Sequence, residues 1–149
     1  LNRLKICTDL SHLNDKSFFG AIERADYPIA SHSNSREICP APRNLTDEQL
    51  KLIGEKNGLI GLCFYPKFLG GNAFEKIYEN ICRLGNLGLE NNIAIGSDFD
   101  GADMSDELSD ISRVPDLYTY LEKRGISAGT LKKIFYENAQ NYFDKLSGI

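Results

Sequence analysis

The chain has two histidines, His12 and His32, and their surroundings match. Each closes a short apolar run and follows a serine, in Ile6-Cys7-Thr8-Asp9-Leu10-Ser11-His12 and in Pro28-Ile29-Ala30-Ser31-His32. Neutral imidazole is the commonest metal ligand and zinc favours it, so two histidines in equivalent places point to a shared metal. The alternative for each is an ordinary polar residue satisfied at a strand end. Asp98 follows another apolar run, Ile93-Ala94-Ile95-Gly96. A carboxylate there can take a proton from an attacking water and pass it on; its structural alternative is a turn or helix cap. Arg43 lies in Cys39-Pro40-Ala41-Pro42-Arg43-Asn44, where two prolines stiffen the loop. A guanidinium held in place suits a substrate carboxylate bound through two hydrogen bonds, and the competing reading is an exposed loop arginine.

The elements that must position these groups read as α/β. Residues 14–26 form one helix, capped by Asn14, with Phe18, Phe19, Ile22 and Ala25 on its apolar face. Strand, helix, strand is a parallel βαβ unit, which puts His12 and His32 side by side at the carboxyl edge of the sheet. If they share one metal, their ring nitrogens should lie roughly 3–4 Å apart. Thr46-Asp47-Glu48-Gln49 is a capping box opening a helix with Leu50 and Ile53 buried. The sequon Asn44-Leu45-Thr46 is a chance match on this reading, its threonine being the cap. Leu59 to Tyr65 is a near-continuous apolar run, as a strand buried on both faces reads. After Gly70-Gly71, Phe74, Ile77, Ile81 and Leu84 recur at helical spacing, and the run at Ile93 makes a fourth strand. Two helices close the chain. One begins near Pro115, and the other is capped by Ser127 with Leu131, Ile134, Phe135, Ala139, Tyr142, Phe143 and Leu146 on one face. Asp100, Asp103, Asp106, Glu107 and Asp110 read as a solvated acidic loop without calcium-loop spacing.

Composition bounds the function. At 149 residues, 26% charged and 42% apolar, the chain makes one globular domain. A net charge of −4 argues against nucleic acid as the partner, and no apolar run reaches membrane-spanning length. The four cysteines, Cys7, Cys39, Cys63 and Cys82, show no metal-binding spacing and read as small buried hydrophobes in a reducing, cytoplasmic setting. No signal segment is visible at Leu1. Four βα units are too few for an eight-stranded barrel of about 250 residues, which leaves a small open sheet or half of a barrel.

Asp9-Leu10-Ser11-His12, then Ser31-His32-Ser33, then Arg43-Asn44, then Gly96-Ser97-Asp98-Phe99-Asp100-Gly101, resemble the renal (membrane) dipeptidase family in the same order. Glu137-Asn138-Ala139 near the end of the chain is also similar to that family. The resemblance covers essentially the whole chain. It implies zinc dipeptidases on a TIM (β/α)8 barrel, of which residues 1–149 form the C-terminal half. It further implies that His12 and His32 bind one of two zincs, that Asp98 handles the proton of a metal-activated water, and that Arg43 binds the substrate's C-terminal carboxylate. The family's His-x-Asp, bridging Glu and further substrate-binding His have no counterpart here. This chain alone is therefore expected to be inactive, and to need a missing N-terminal half-barrel or a homo-oligomer to cover its open face around Ile6, Ile29 and Leu62. Two other readings compete: a non-catalytic half-barrel for binding or assembly, and an unrelated single-metal hydrolase on a small open sheet.

Overall fold

A computed structural model describes residues 1–148. Four short strands, β1 (Thr8–Asp9), β2 (Pro28–Ala30), β3 (Leu59–Leu62) and β4 (Ile93–Ile95), pair in parallel in chain order. Thr8 stands opposite Pro28, Ile29 opposite Leu59, and Ile60 opposite Ile93. Sequence order without a reversal is the arc that one half of a parallel barrel traces.

Local chemistry explains where the helices begin. Asn14 Oδ1 accepts the Ser17 amide and opens α1 (Asp15–Arg24). Thr46 and Gln49 form a complete capping box at α2 (Asp47–Glu55), satisfying two amides that a helix end otherwise leaves bare. Asn72 caps α4 (Ala73–Asn86) and Ser127 caps α6 (Ala128–Lys132). Pro115 lies in the first turn of α5 (Val114–Lys123). The inward faces of these helices join β3, which is buried along its length. Phe18, Ile22, Leu50, Ile53, Ile60, Leu62, Ile77, Leu84, Leu117 and Leu131 form one continuous core. Among the described residues no helix is long and apolar enough to cross a membrane.

Several expectations need correction. Ile6 lies outside β1 and is exposed, whereas Leu62, expected on the open face, is fully buried. Phe19 is 39% exposed, so the buried face of α1 is Phe18 and Ile22 with Ala25 just beyond. A short helix, α3 (Pro66–Leu69), starts at Pro66 between β3 and the glycine pair. The closing helix is not uniform: a π-helical turn, Lys133–Glu137, separates α6 from α7 (Asn138–Ser147), and Phe143 is exposed. Asn138, buried just after that turn, donates to the Glu90 and Ile93 carbonyls at 2.8 Å. The acidic loop is not wholly solvated, because Glu107 accepts Asn72 Nδ2 and the Ala73 amide at the start of α4, and Leu108 is buried. All four thiols are free; Cys39 and Cys63 are buried and the other two half-buried.

Candidate metal and substrate site

Pairing continues past the formal strand ends and so delivers the chemistry. The Ser33 amide donates to the Gly61 carbonyl, Gly96 to Leu62, and Phe64 to Ser97. At the centre of this edge, a Cβ on Gly61 or on Gly96 would collide with the Ser31 carbonyl oxygen. Two glycines therefore let the chain around Ser31 lie close to its neighbours, which sets the height of His32. His12 and Asp98, three residues beyond β1 and β4, have φ of 68° each, a left-handed backbone that non-glycine residues seldom adopt. Such strained positions cluster at functional sites.

The two imidazoles meet. His12 Nε2 and His32 Nε2 are 2.9 Å apart, just below the expected range, with ring planes tilted by 54°. Asp98 Oδ2 lies 4.0 Å from the same His32 nitrogen. Burial, with the Arg43 charge assisting, pushes the His32 imidazole down toward the neutral form, against the pull of Asp98. Neutral imidazole is the form that ligates metal. The residues fit a metal in donor type and convergence, but as two ligands only: among the described residues no three His, Cys, Asp or Glu side chains gather into a metal-binding group.

Arg43 is held at the same edge. Its Nη1 donates to Ser33 Oγ at 3.0 Å, and its guanidinium carbon stands 4.8 Å from the centre of the Phe68 ring. Nε and Nη2 are buried without a partner among the described residues. Leaving such donors unpaired costs on the order of 1–3 kcal/mol each, and more on a charged group. Burial lowers the Arg43 pKa, opposed by Cys63, Asp98 and Asp9. His12, Tyr65, Phe68, Asp98, Asp100 and Asp103 line an open cavity of about 460 Å³ beside these groups, a size that suits a small molecule.

The structure thus brings together all four residues singled out from the sequence. It also reveals support that residue types alone did not disclose. Asn34 bonds both ways to the backbone of Cys63, and Asn44 donates to the Cys39 and Phe68 carbonyls. Both asparagines are fully buried, which pins the loop carrying Arg43 and leaves the sequon inaccessible to a glycan. Behind His32, Asp9 and Ser31 are hydrogen-bonded in line. Burial alone would raise the Asp9 carboxyl, but the Ser31 hydroxyl and the Ser31 and Ser11 amides outweigh it and hold the group below its ordinary range. The signal for Asp9 was present in its motif; its partner lies 22 residues away, beyond the reach of local pattern.

Comparison with known proteins adds three kinds of finding. The sequence profile of the membrane dipeptidase family, peptidase family M19, matches residues 1–147. A Klebsiella pneumoniae protein described as uncharacterized, in the pqqA 5' region, is 37% identical over 146 residues, covering 93% of this chain and 54% of its own. Among solved structures, a metallopeptidase called dipeptidase AC superposes with a TM-score of 0.93 at 33% identity, over 99% of this chain and 46% of that one. A Rhodobacter sphaeroides metallopeptidase, liganded with a phosphinate mimic of the dipeptide L-Ala-D-Ala, superposes with a TM-score of 0.91 at 33% identity, over 97% of this chain and 44% of that one. The chain spans about half the length of these relatives.

Proposed function

The chain belongs to the membrane dipeptidase family, peptidase family M19, and from that premise we propose that it supplies part of the active site of a zinc-dependent dipeptidase. The observation that carries the reading is the convergence of His12 and His32 at one edge, 2.9 Å apart at Nε2. His12 and His32 would hold the metal. When bound, such a metal lowers the pKa of a water and polarises a carbonyl. Arg43 orients the substrate: its unpartnered Nε and Nη2 form one edge of the guanidinium, and a free C-terminal carboxylate matches them with two parallel hydrogen bonds. The Phe68 ring faces that guanidinium at 4.8 Å and helps to hold it in place. Asp98, beside His32, accepts the proton released when water attacks and hands it to the leaving amine. The ligand of the Rhodobacter relative, a dipeptide mimic, supports the substrate class.

Two imidazoles are fewer than the three protein ligands a catalytic zinc usually has. We assign the remaining ligands to βα units like those that the relatives carry outside the matched half, closing a (β/α)8 barrel over the exposed face. Dipeptide hydrolysis by the intact protein, with and without a chelator, and by residues 1–149 alone, tests both parts. The expected result is turnover that chelation abolishes and added zinc restores, and none from residues 1–149 unaided. Turnover indifferent to chelation overturns the metal assignment. Full turnover by residues 1–149 overturns the assignment of further ligands.

A further inference from the structure

Three groups stand in line behind the Nε2 atom of His32. Asp9 Oδ1 accepts the amides of Ser11 and Ser31 at 3.0 and 3.1 Å, and its Oδ2 accepts the Ser31 hydroxyl at 2.5 Å. Ser31 Oγ in turn lies 2.7 Å from His32 Nδ1. A serine hydroxyl owns one proton, and an ionised carboxylate can only accept. With the Ser31 proton committed to Asp9, Oγ has only lone pairs to offer the ring. The imidazole proton must then sit on Nδ1, and Nε2 is a bare lone pair. That nitrogen is the one facing His12. The His12 ring makes no other hydrogen bond among the described residues, so in the metal-free protein its Nε2–H donates to His32.

We propose that Asp9 is a positioning residue: through the Ser31 hydroxyl it locks His32 in the Nδ1–H tautomer, leaving Nε2 ready to bind a metal. The two histidines are then unequal. His32 is ready as it stands, whereas His12 must move its proton from Nε2 to Nδ1. The tautomer follows from hydrogen bonding alone, while its consequence for metal rests on the functional reading above. Metal-ligating histidines commonly depend on such support, and its loss typically weakens binding 10–100-fold.

Asp9→Asn makes the inference sharp. The side-chain oxygen keeps the two backbone amides, so the amide nitrogen faces Ser31 and donates to its Oγ. The Ser31 proton turns to His32 Nδ1, and the ring proton moves to Nε2. No proton is gained or lost, but the lone pair now points the wrong way. Nitrogen NMR of the histidine side chains in the metal-free intact protein, at a pH where both rings are neutral, reads the tautomer directly. The expected result is a protonated Nδ1 on His32 in the wild type, a protonated Nε2 in Asp9→Asn, and zinc affinity lower by about 10–100-fold in the variant. Ser31→Ala, which keeps the backbone and removes the relay, should release the lock and populate both tautomers. A wild-type His32 protonated at Nε2 overturns the inference. So does an unchanged tautomer in a folded Asp9→Asn or, should that variant not fold, in Ser31→Ala. A tautomer that responds as expected, in a protein whose metal content ignores loss of either histidine, upholds the positioning and overturns the functional reading instead.

Discussion

Arg43 stands out for its unmet hydrogen-bonding capacity. A buried guanidinium normally finds acceptors for its donors, yet two of these nitrogens have none while a third holds Ser33. Lysine keeps the charge but cannot offer two parallel donors in a plane. On the proposed dipeptidase reading, Arg43→Lys in the full-length protein should raise KM for a dipeptide about 10-fold or more while kcat falls less, since one charge-assisted hydrogen bond is worth roughly 1.5–3 kcal/mol. Steady-state kinetics on free and C-terminally amidated dipeptides check this, with the amides poor substrates for the wild type. Equal rates on both would remove the carboxylate from the account. Residue types disclosed this much in advance: two serine-preceded histidines, an aspartate after a strand and an arginine in a proline-stiffened loop are legible as chemistry. The pairing of Asp9 with Ser31 and the roles of Asn34 and Asn44 are not, because each joins groups brought near only by the fold.

At the level of elements, the strongest local signals were the caps. Asn14, Thr46 with Gln49, and Ser127 each open a helix where the pattern of polar then apolar residues places one. The π-helical turn at Lys133–Glu137 was illegible because apolar spacing on either side stays close to helical, and one widened turn leaves little trace in it. α3 was missed because four residues are too few to show a period. Contacts between elements were equally hidden. Glu75 of α4 pairs with Arg124 just after α5, beside the Tyr120 hydroxyl, and the guanidinium stacks 4.0 Å from the Tyr78 ring centre. The Arg124 and Tyr120 hydrogen bonds, in that order, hold the Glu75 carboxyl below its ordinary value. A carboxyl with a depressed folded pKa adds stability above its unfolded value and loses it as pH falls through the folded one. The wild type should therefore lose more melting temperature than Glu75→Gln between about pH 5 and 3. Parallel melting curves across that range would contradict this if the two proteins lost stability equally.

At the largest scale, the described residues form an arc of four parallel strands with two edges, β1 and β4. Parallel sheets are normally covered on both faces and protected at their edges. Here the middle is self-sufficient: β3 is buried throughout, and helices supply the core. The margins are not. Ile6, just before β1, is 47% exposed, and Ile95 of β4 is only half-buried. Each 100 Å² of apolar surface left in water forgoes about 2.5 kcal/mol. His12, His32 and Asp98 stand at the carboxyl edge of this sheet, where two imidazoles converge without a third metal-binding side chain among the described residues. Relatives about twice as long match this chain over roughly half their length, which is why we complete the site from outside these residues. The parallel βα order was readable from alternating apolar runs and capped helices. How the arc is completed was not, since no residue in the chain records what packs against it.

The central claim is that His12 and His32 hold a metal together. The most direct measurement is the metal content of the purified intact protein and of its His12→Ala and His32→Ala variants, each confirmed to melt like the wild type. The account predicts bound zinc in the wild type and the loss of the same equivalent in both variants, because neither histidine has a neighbour that can replace it. Wild-type zinc content in either folded variant would contradict it.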